Sequence, residues 1–148
     1  MKYFIYLMFP VLLSCAGENE NSEGENTAEP VVLIDDHVAA DLEGLTLNNG
    51  KKWKVDRSTE EGMKKVENML NSFSGEDLSV LGKDIKDELS TVIKGCDFKG
   101  EDHDQYHIIL HAMLKEAKRM KKGKSSDPKK MEGYLDAYDN HFEVGDQE

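Results

Sequence analysis

Apolar residues from position 58 onward recur at the three- and four-residue spacing of amphipathic helices, and this periodicity constrains the fold most. The four stripes are Met63, Val66, Met69, Leu70 and Phe73; Leu78, Leu81, Ile85, Leu89 and Val92; Tyr106, Leu110, Met113, Leu114 and Ala117; and Met131, Tyr134, Leu135, Tyr138 and Phe142. Short polar connections separate the stripes. The sequence therefore predicts an all-α fold, an up-down-up-down four-helix bundle over residues 57–143.

The predicted helices have recognisable ends. Ser58 with Glu61 has the pattern of a capping box at the start of the first helix. Gly95 is a natural stop for the second helix, and the third is expected over about 102–122. The pair Asp127–Pro128 has the pattern of a cap followed by the first residue of the fourth helix.

Residues 31–56 form a lead-in that is expected to pack on the bundle as irregular chain or a small hairpin. The hairpin would join Leu45–Leu47 to Trp53 and Val55 through Asn48-Asn49-Gly50. Two strands alone are marginal, so their apolar groups should lie against the helices. Trp53 is expected to be a packing anchor, and residues 144–148 a disordered tail.

The segment CDFKGEDHDQYHIILH, residues 96–111, holds the candidate site, because it carries one cysteine and three histidines. At about 100° per residue, His103 lies roughly 35° from the centre of the apolar side of the third helix, and His107 lies at its edge. His111 turns further toward solvent. Cys96 continues the apolar stripe of the second helix, so the turn through Gly100 would bring its thiol toward His103 and His107.

Cys96, His103 and His107 therefore predict a metal site for copper or zinc, since thiolate and imidazole bind both ions. The fourth ligand stays open; the candidates are Met63, His37, His141, Asp102 and water. No haem is expected, because the chain has no C-x-x-C-H motif. The alternative is purely structural: the two histidines line a helix start and Cys96 fills a gap in the packing.

The first fourteen residues have a basic start, a short apolar centre and the boundary Leu12-Leu13-Ser14-Cys15. The apolar run is too short to span a membrane as a helix and fits a secretory signal. The boundary resembles the lipobox of bacterial lipoproteins. That resemblance implies that residues 1–14 are a signal peptide and that Cys15 carries the lipid. Ala16 in place of an aspartate implies the outer membrane, with the protein facing the periplasm or exposed at the surface.

Residues 15–30 are the lipidated cysteine and an acidic segment with five glutamates and no basic residue, expected to be a disordered tether. It resembles surface-export signals of Bacteroidota lipoproteins. Without the leader, the chain has 18 basic and 30 acidic residues, a net charge of −12. Such a charge argues against nucleic acid as a partner and against broad adhesion to anionic lipid headgroups. The lipid anchor is therefore expected to hold the chain at the membrane.

A second resemblance covers residues 45–143, which are similar to a group of small helical lipoproteins of Bacteroidota. The group has a Gly-x-Lys-Trp lead-in, a Thr-x-x-Gly helix start and Cys-x-x-x-Gly-x-x-His-x-x-x-His at a turn. The matching positions are Gly50, Lys52, Trp53, Thr59, Gly62, Cys96, Gly100, His103 and His107. Phe98 stands where the group often has methionine, which weakens a copper site. The group brings no established activity.

No nucleophile elbow, P-loop or dinucleotide fingerprint is present, so an enzyme is not expected. A thiol-dependent activity at Cys96 is the enzymatic alternative. Eight basic residues lie between Lys115 and Lys130, many of them near a helix C-terminus, where the macrodipole favours cations. The alternative is that this cluster docks onto lipid phosphate or an acidic partner. The sequence thus predicts an envelope lipoprotein with a candidate metal site, or a scaffold that binds another envelope protein.

Overall fold

The computed structural model describes residues 36–124 and 127–145. These residues form the helices α1 (Asp36–Ala39), α2 (Arg57–Ser72), α3 (Leu78–Gly95), α4 (Glu101–Lys121) and α5 (Pro128–His141), and the strands β1 (Trp53–Val55) and β2 (Phe142–Val144). The prediction of a mostly helical fold with four long helices is confirmed. The predicted signal peptide, the acidic tether and positions 146–148 of the predicted tail lie outside the described residues.

The four long helices enclose one hydrophobic core. α3 packs against both α2 and α4, while α5 packs against both α4 and α2. The largest fully buried side chains are contributed by all four helices: Met63, Val66, Ile85, Leu89, Tyr106, Ile109, Met113, Met120, Met131 and Tyr134. The apolar stripes of the sequence therefore face one another, and this burial is the main source of stability.

The lead-in differs from the predicted hairpin, which is wrong. β1 pairs in parallel with β2, with Trp53 opposite Phe142 and Val55 opposite Val144. Only an isolated antiparallel bridge, Asn48–Lys51, surrounds the Asn49-Gly50 turn. Parallel strands require a long crossover, and here the four long helices provide it. Phe142 consequently belongs to β2 and not to the last helix.

Trp53 is a packing anchor, as predicted. Its side chain is buried, and its indole N–H donates to the carbonyl of Thr46. The residues before it run over the helices, because the N–H of Thr46 donates to Gln105 Oε1 on α4 at 2.9 Å. The lead-in thus packs on the bundle through specific contacts.

Two of the predicted helix ends are confirmed, and one is wrong. α3 ends at Gly95, and Asp127 caps α5 with Pro128 as its first residue. The cap of α2, however, is Asp56, whose carboxylate accepts from the N–H of Thr59 at 2.6 Å. Ser58 instead donates its hydroxyl to that same carboxylate at 2.7 Å. Aspartate is as good an N-cap as serine, and here the aspartate two residues before Ser58 caps the helix.

α3 and α4 approach each other closely at Gly82. A Cβ placed there would lie 2.4 Å from the backbone nitrogen of Lys121 and 2.8 Å from the carbonyl oxygen of Ala117. Glycine therefore allows the two backbones to touch. None of the helices in the described ranges combines the length and apolar character needed to cross a membrane.

Candidate functional site

The turn between α3 and α4 positions the candidate site. Cys96 ends α3, and its N–H donates to the carbonyl of Val92 at 2.9 Å. Gly100 precedes α4 with φ +84°, a conformation in which any other residue is strained. Its carbonyl accepts the first α4 hydrogen bond, from Asp104 at 3.1 Å. Because α4 starts at Glu101, its first three turns present the three histidines.

The three histidines form a row along α4. The ring centroids of His103 and His107 are 4.2 Å apart, and those of His107 and His111 are 5.4 Å apart. His103 and His107 are partly buried, with 33% of the His103 side chain exposed. His111 is exposed, as the helical layout predicted. The first two rings are therefore the closer and more enclosed pair.

The electrostatic surroundings of His107 favour its neutral form. Burial lowers its pKa below 6.5, and the neighbouring imidazoles of His103 and His111 lower it further, against a weaker opposing effect from Asp104. A neutral imidazole has a nitrogen lone pair available for a metal ion. His107 is therefore prepared at neutral pH for a role as a ligand.

Cys96 lies in a different environment from the histidines. Burial raises the pKa of its thiol, and the negative charge of Asp56 raises it further. Phe98 sits beside the turn, with its ring 5.6 Å from that of His103 and 5.7 Å from that of Tyr106. The raised pKa makes the free thiol a weaker nucleophile at neutral pH than an ordinary cysteine.

The structure brings His103 and His107 together but does not gather them with Cys96. Among the described side chains, no group of three or more His, Cys, Asp or Glu residues is placed to hold a metal ion. The sequence analysis placed Cys96 in the site because it lies at the correct end of α3. Position along the helix alone does not fix the direction of the thiol or the aromatic ring beside it.

The proposed fourth ligands are engaged elsewhere in the described part of the chain. Met63 sulfur accepts from the hydroxyl of Tyr106 at 3.8 Å, and Asp102 accepts from the N–H of Lys54 at 3.3 Å. His141 is buried against its own helix, with Nδ1 2.7 Å from the carbonyl oxygen of Ala137. The side chain of His37 is outside the description.

Asp56 is the residue at this site that the sequence analysis missed. Besides capping α2, its carboxylate accepts from the N–H of Asp97, in the α3–α4 turn, at 3.3 Å. Burial acts to raise its pKa, but the hydrogen bonds from Thr59, Ser58 and Asp97 hold that pKa below 3.8. Asp56 therefore ties the start of α2 to the turn before the histidines. An aspartate two residues before Ser58 was the only signal in the sequence.

Comparison with known proteins adds no assignment: no family model, curated protein or solved structure matches the chain significantly. Functional inference therefore rests on the chemistry of the residues. The site offers two neighbouring imidazoles, one with a depressed pKa, on a helix fixed by Gly100 and Asp56. Such a pair can bind a transition-metal ion and leave the remaining coordination positions open.

Proposed function

We propose that this chain is an envelope lipoprotein, anchored by lipid at Cys15, whose helical domain binds a zinc or copper ion through His103 and His107. The domain would be an up-down-up-down bundle carried on the acidic tether of residues 15–30. The proposal includes membership of the group of small helical Bacteroidota lipoproteins that residues 45–143 resemble. It includes no catalytic role.

The observation that carries the metal site is the 4.2 Å distance between the His103 and His107 ring centroids. Two nitrogens on one tetrahedral zinc ion are roughly 3.3 Å apart, because each Zn–N bond is about 2.0–2.1 Å. Small side-chain rotations bring rings at this distance to that separation. The i, i+4 spacing on a helix holds both rings on the same side.

The proposed site is open and of low affinity, since structural zinc sites use four protein ligands and this one supplies two. Cys96 is not included, because among the described residues it does not join the two histidines in a group of three ligands that could hold a metal ion. Water or a ligand from another molecule would fill the other positions. An open site suits a protein that takes up or passes on an ion, not one that requires the ion to fold.

Calorimetric titration with zinc tests the site. The chain would carry Cys15→Ser, which prevents acylation and removes a second thiol. Mutation of a residue that only supports a metal ligand lowers metal affinity by roughly 10–100-fold. Loss of a ligand itself should cost more, so His103→Ala and His107→Ala should each abolish measurable binding. Cys96→Ser and His111→Ala are the matched controls and should retain it. Equal uptake by all five proteins, or no uptake by the parent chain, would contradict the proposal.

The anchor is tested independently by metabolic labelling with an alkyne fatty acid in a bacterial host with lipoprotein processing. The unmodified chain should incorporate label and partition with membranes, because its leader resembles a lipobox. Cys15→Ser should lose both properties, whereas Cys96→Ser should keep them. Labelling of the Cys15→Ser chain would contradict anchoring at this cysteine.

A second candidate is a scaffold that binds an envelope protein, and exposed apolar surface on α3 favours it. Val80 is 56% exposed and lines a groove with Met69 and Phe73, at the turn between α2 and α3. A photo-crosslinking residue in place of Val80 should give one discrete adduct in cells, while one in place of the exposed Asp87 should give none. Identical patterns at the two positions would count against this candidate.

A further inference from the structure

A basic groove runs along the second half of α4. It has a volume of about 430 Å³ and is open to solvent, with Leu114 and His111 completing the wall. Its cationic lining residues are Lys115, Lys118, Arg119, Lys122 and Lys124. Five cations around one groove are unusual in a chain with a net charge of −11.

Three of these cations are not neutralised by the rest of the described structure. Lys115 lies 2.7 Å from Asp41, and Arg119 Nε lies 3.7 Å from the carboxylate of Glu116. No carboxylate of the described residues makes an ion pair with Lys118, Lys122 or Lys124. Like charges four residues apart on a helix repel, so this arrangement lowers stability unless an anion binds.

The helix macrodipole accounts for only part of the cluster. The negative C-terminal end of α4 favours cations in its last turn, which contains Lys118, Arg119 and Lys121. This effect falls off within one turn, whereas Lys115 precedes that turn and Lys124 follows the helix. The helix end therefore accounts for Lys118 and Arg119 but not for Lys124, while Lys115 is paired with Asp41.

The groove also lies where the chain enters the domain. Asp41, two residues after α1, bonds to Lys115 of the groove and to Lys130 and Tyr134 of α5. Twenty residues lie between Cys15 and Asp36, a contour length of at most about 70 Å. A lipid at Cys15 would therefore keep this side of the domain within reach of the membrane surface, at a high effective concentration.

We propose that the basic groove binds the phosphate groups of anionic membrane lipids and so orients the anchored domain on its membrane. The membrane context rests on the proposed lipid anchor. Arg119 can present a bidentate fork to phosphate, and the lysines act as point charges around it. The acidic remainder of the surface does not prevent this, since charges beyond about 8 Å are screened at physiological ionic strength.

Vesicle co-sedimentation of the full chain carrying Cys15→Ser tests the groove without the anchor. Vesicles of phosphatidylcholine alone are compared with vesicles that also contain phosphatidylglycerol, at low and at high salt. The groove variant carries Lys118→Gln, Lys122→Gln and Lys124→Gln. The matched control carries the same charge change at exposed lysines elsewhere, Lys51→Gln, Lys94→Gln and Lys99→Gln. Circular dichroism confirms that each variant is folded.

The parent chain and the control should bind only the anionic vesicles, and binding should disappear at high salt. The groove variant should bind roughly a hundredfold more weakly, at about fivefold per lysine. Equal weakening in both variants, or no binding by the parent chain, would overturn the proposal.

Inorganic phosphate is titrated as a separate arm. Phosphate binding as tight as vesicle binding would assign the groove to a free anion and overturn the membrane assignment. Because acylation is absent from this experiment, its failure leaves the test at Cys15 unaffected.

Discussion

At the scale of single residues, the carboxylate of Asp56 joins two parts of the chain, the start of α2 and the α3–α4 turn. It caps α2, binds the hydroxyl of Ser58 and accepts the N–H of Asp97 from the α3–α4 turn. Asp56 is buried, so removing its carboxylate would leave each of these partners without a hydrogen bond that water does not readily replace.

Asp56→Ala should therefore lower the free energy of unfolding by about 2 kcal/mol, at the upper end of the range for lost N-caps. Urea unfolding at neutral pH measures this loss. Asp77→Ala is the matched control, because Asp77 caps α3 from an exposed position through a single bond to Ser79. The control should lose clearly less. Equal losses in the two variants would show that the link to Asp97 contributes nothing.

The same carboxylate predicts part of the acid sensitivity of the fold. Its pKa is below 3.8 in the folded chain, so its stabilisation is fully present above 3.8 and is lost as the pH falls through the folded value. The stability of Asp56→Asn should depend less on pH in that range than the stability of the parent chain. Parallel curves for the two proteins would contradict this.

His107 predicts a second pH effect, at higher pH. Its folded pKa lies below 6.5, so the unfolded chain binds the proton more readily as the pH falls through 6.5. Stability should decrease over this window in the parent chain and decrease less in His107→Gln, both measured in the presence of a chelator. A parent curve that rises as the pH falls would contradict the assigned direction.

At the scale of elements, the contact at Gly82 holds α3 against the C-terminal end of α4. Gly82→Ala should destabilise the chain by about 3 kcal/mol, because the new methyl group would overlap three α4 atoms. Two of them belong to the backbone and the third is the Cβ of Met120, so none can rotate away. Gly95→Ala, also in α3, meets only the Ser58 side chain, with Oγ at 3.2 Å, and should be close to neutral. Thermal unfolding compares the two. An unchanged thermal stability of Gly82→Ala would mean that α3 and α4 can move apart at this point without loss of stability.

The extents of the helices could be predicted because apolar periodicity and caps are local signals. Gly95 and Asp127–Pro128 marked the ends of α3 and the start of α5 correctly. The parallel pairing of β1 with β2 could not be predicted, since it joins three-residue strands at opposite ends of the described chain. The same reason applies at the site: the helical spacing of His103 and His107 predicts that their rings lie close together, whereas the position of Cys96 depends on the shape of a turn.

At the scale of the whole molecule, β2 pairs the end of the described chain with β1, the strand that precedes the four long helices. Phe142 is buried beside β1, stacked on Tyr138 at 5.3 Å and edge-on to Tyr106 at 5.9 Å. This aromatic cluster joins α4, α5 and the sheet. The two strands therefore join the segment before α2 to the segment after α5.

Phe142→Ala should lower the stability of the entire domain by about 3 kcal/mol in one cooperative transition, since it opens a cavity in this cluster. Glu143→Ala, in the same strand, removes only an exposed ion pair with Lys54 and should leave stability nearly unchanged. Unfolding followed by both tyrosine fluorescence and circular dichroism measures the loss. A separate early transition in the fluorescence alone would show that the strand pair is not integral to the fold.

The central claim is that the histidine pair of α4 is a binding site for a transition-metal ion. Nuclear magnetic resonance of the imidazole rings during zinc addition to the full chain carrying Cys15→Ser tests it most directly. If this pair binds zinc, the His103 and His107 resonances shift together and more than those of His111, while the Cys96 Cβ resonance stays in place. Histidine resonances that do not respond to zinc, or a Cys96 resonance that shifts with them, would show that this pair is not the binding site.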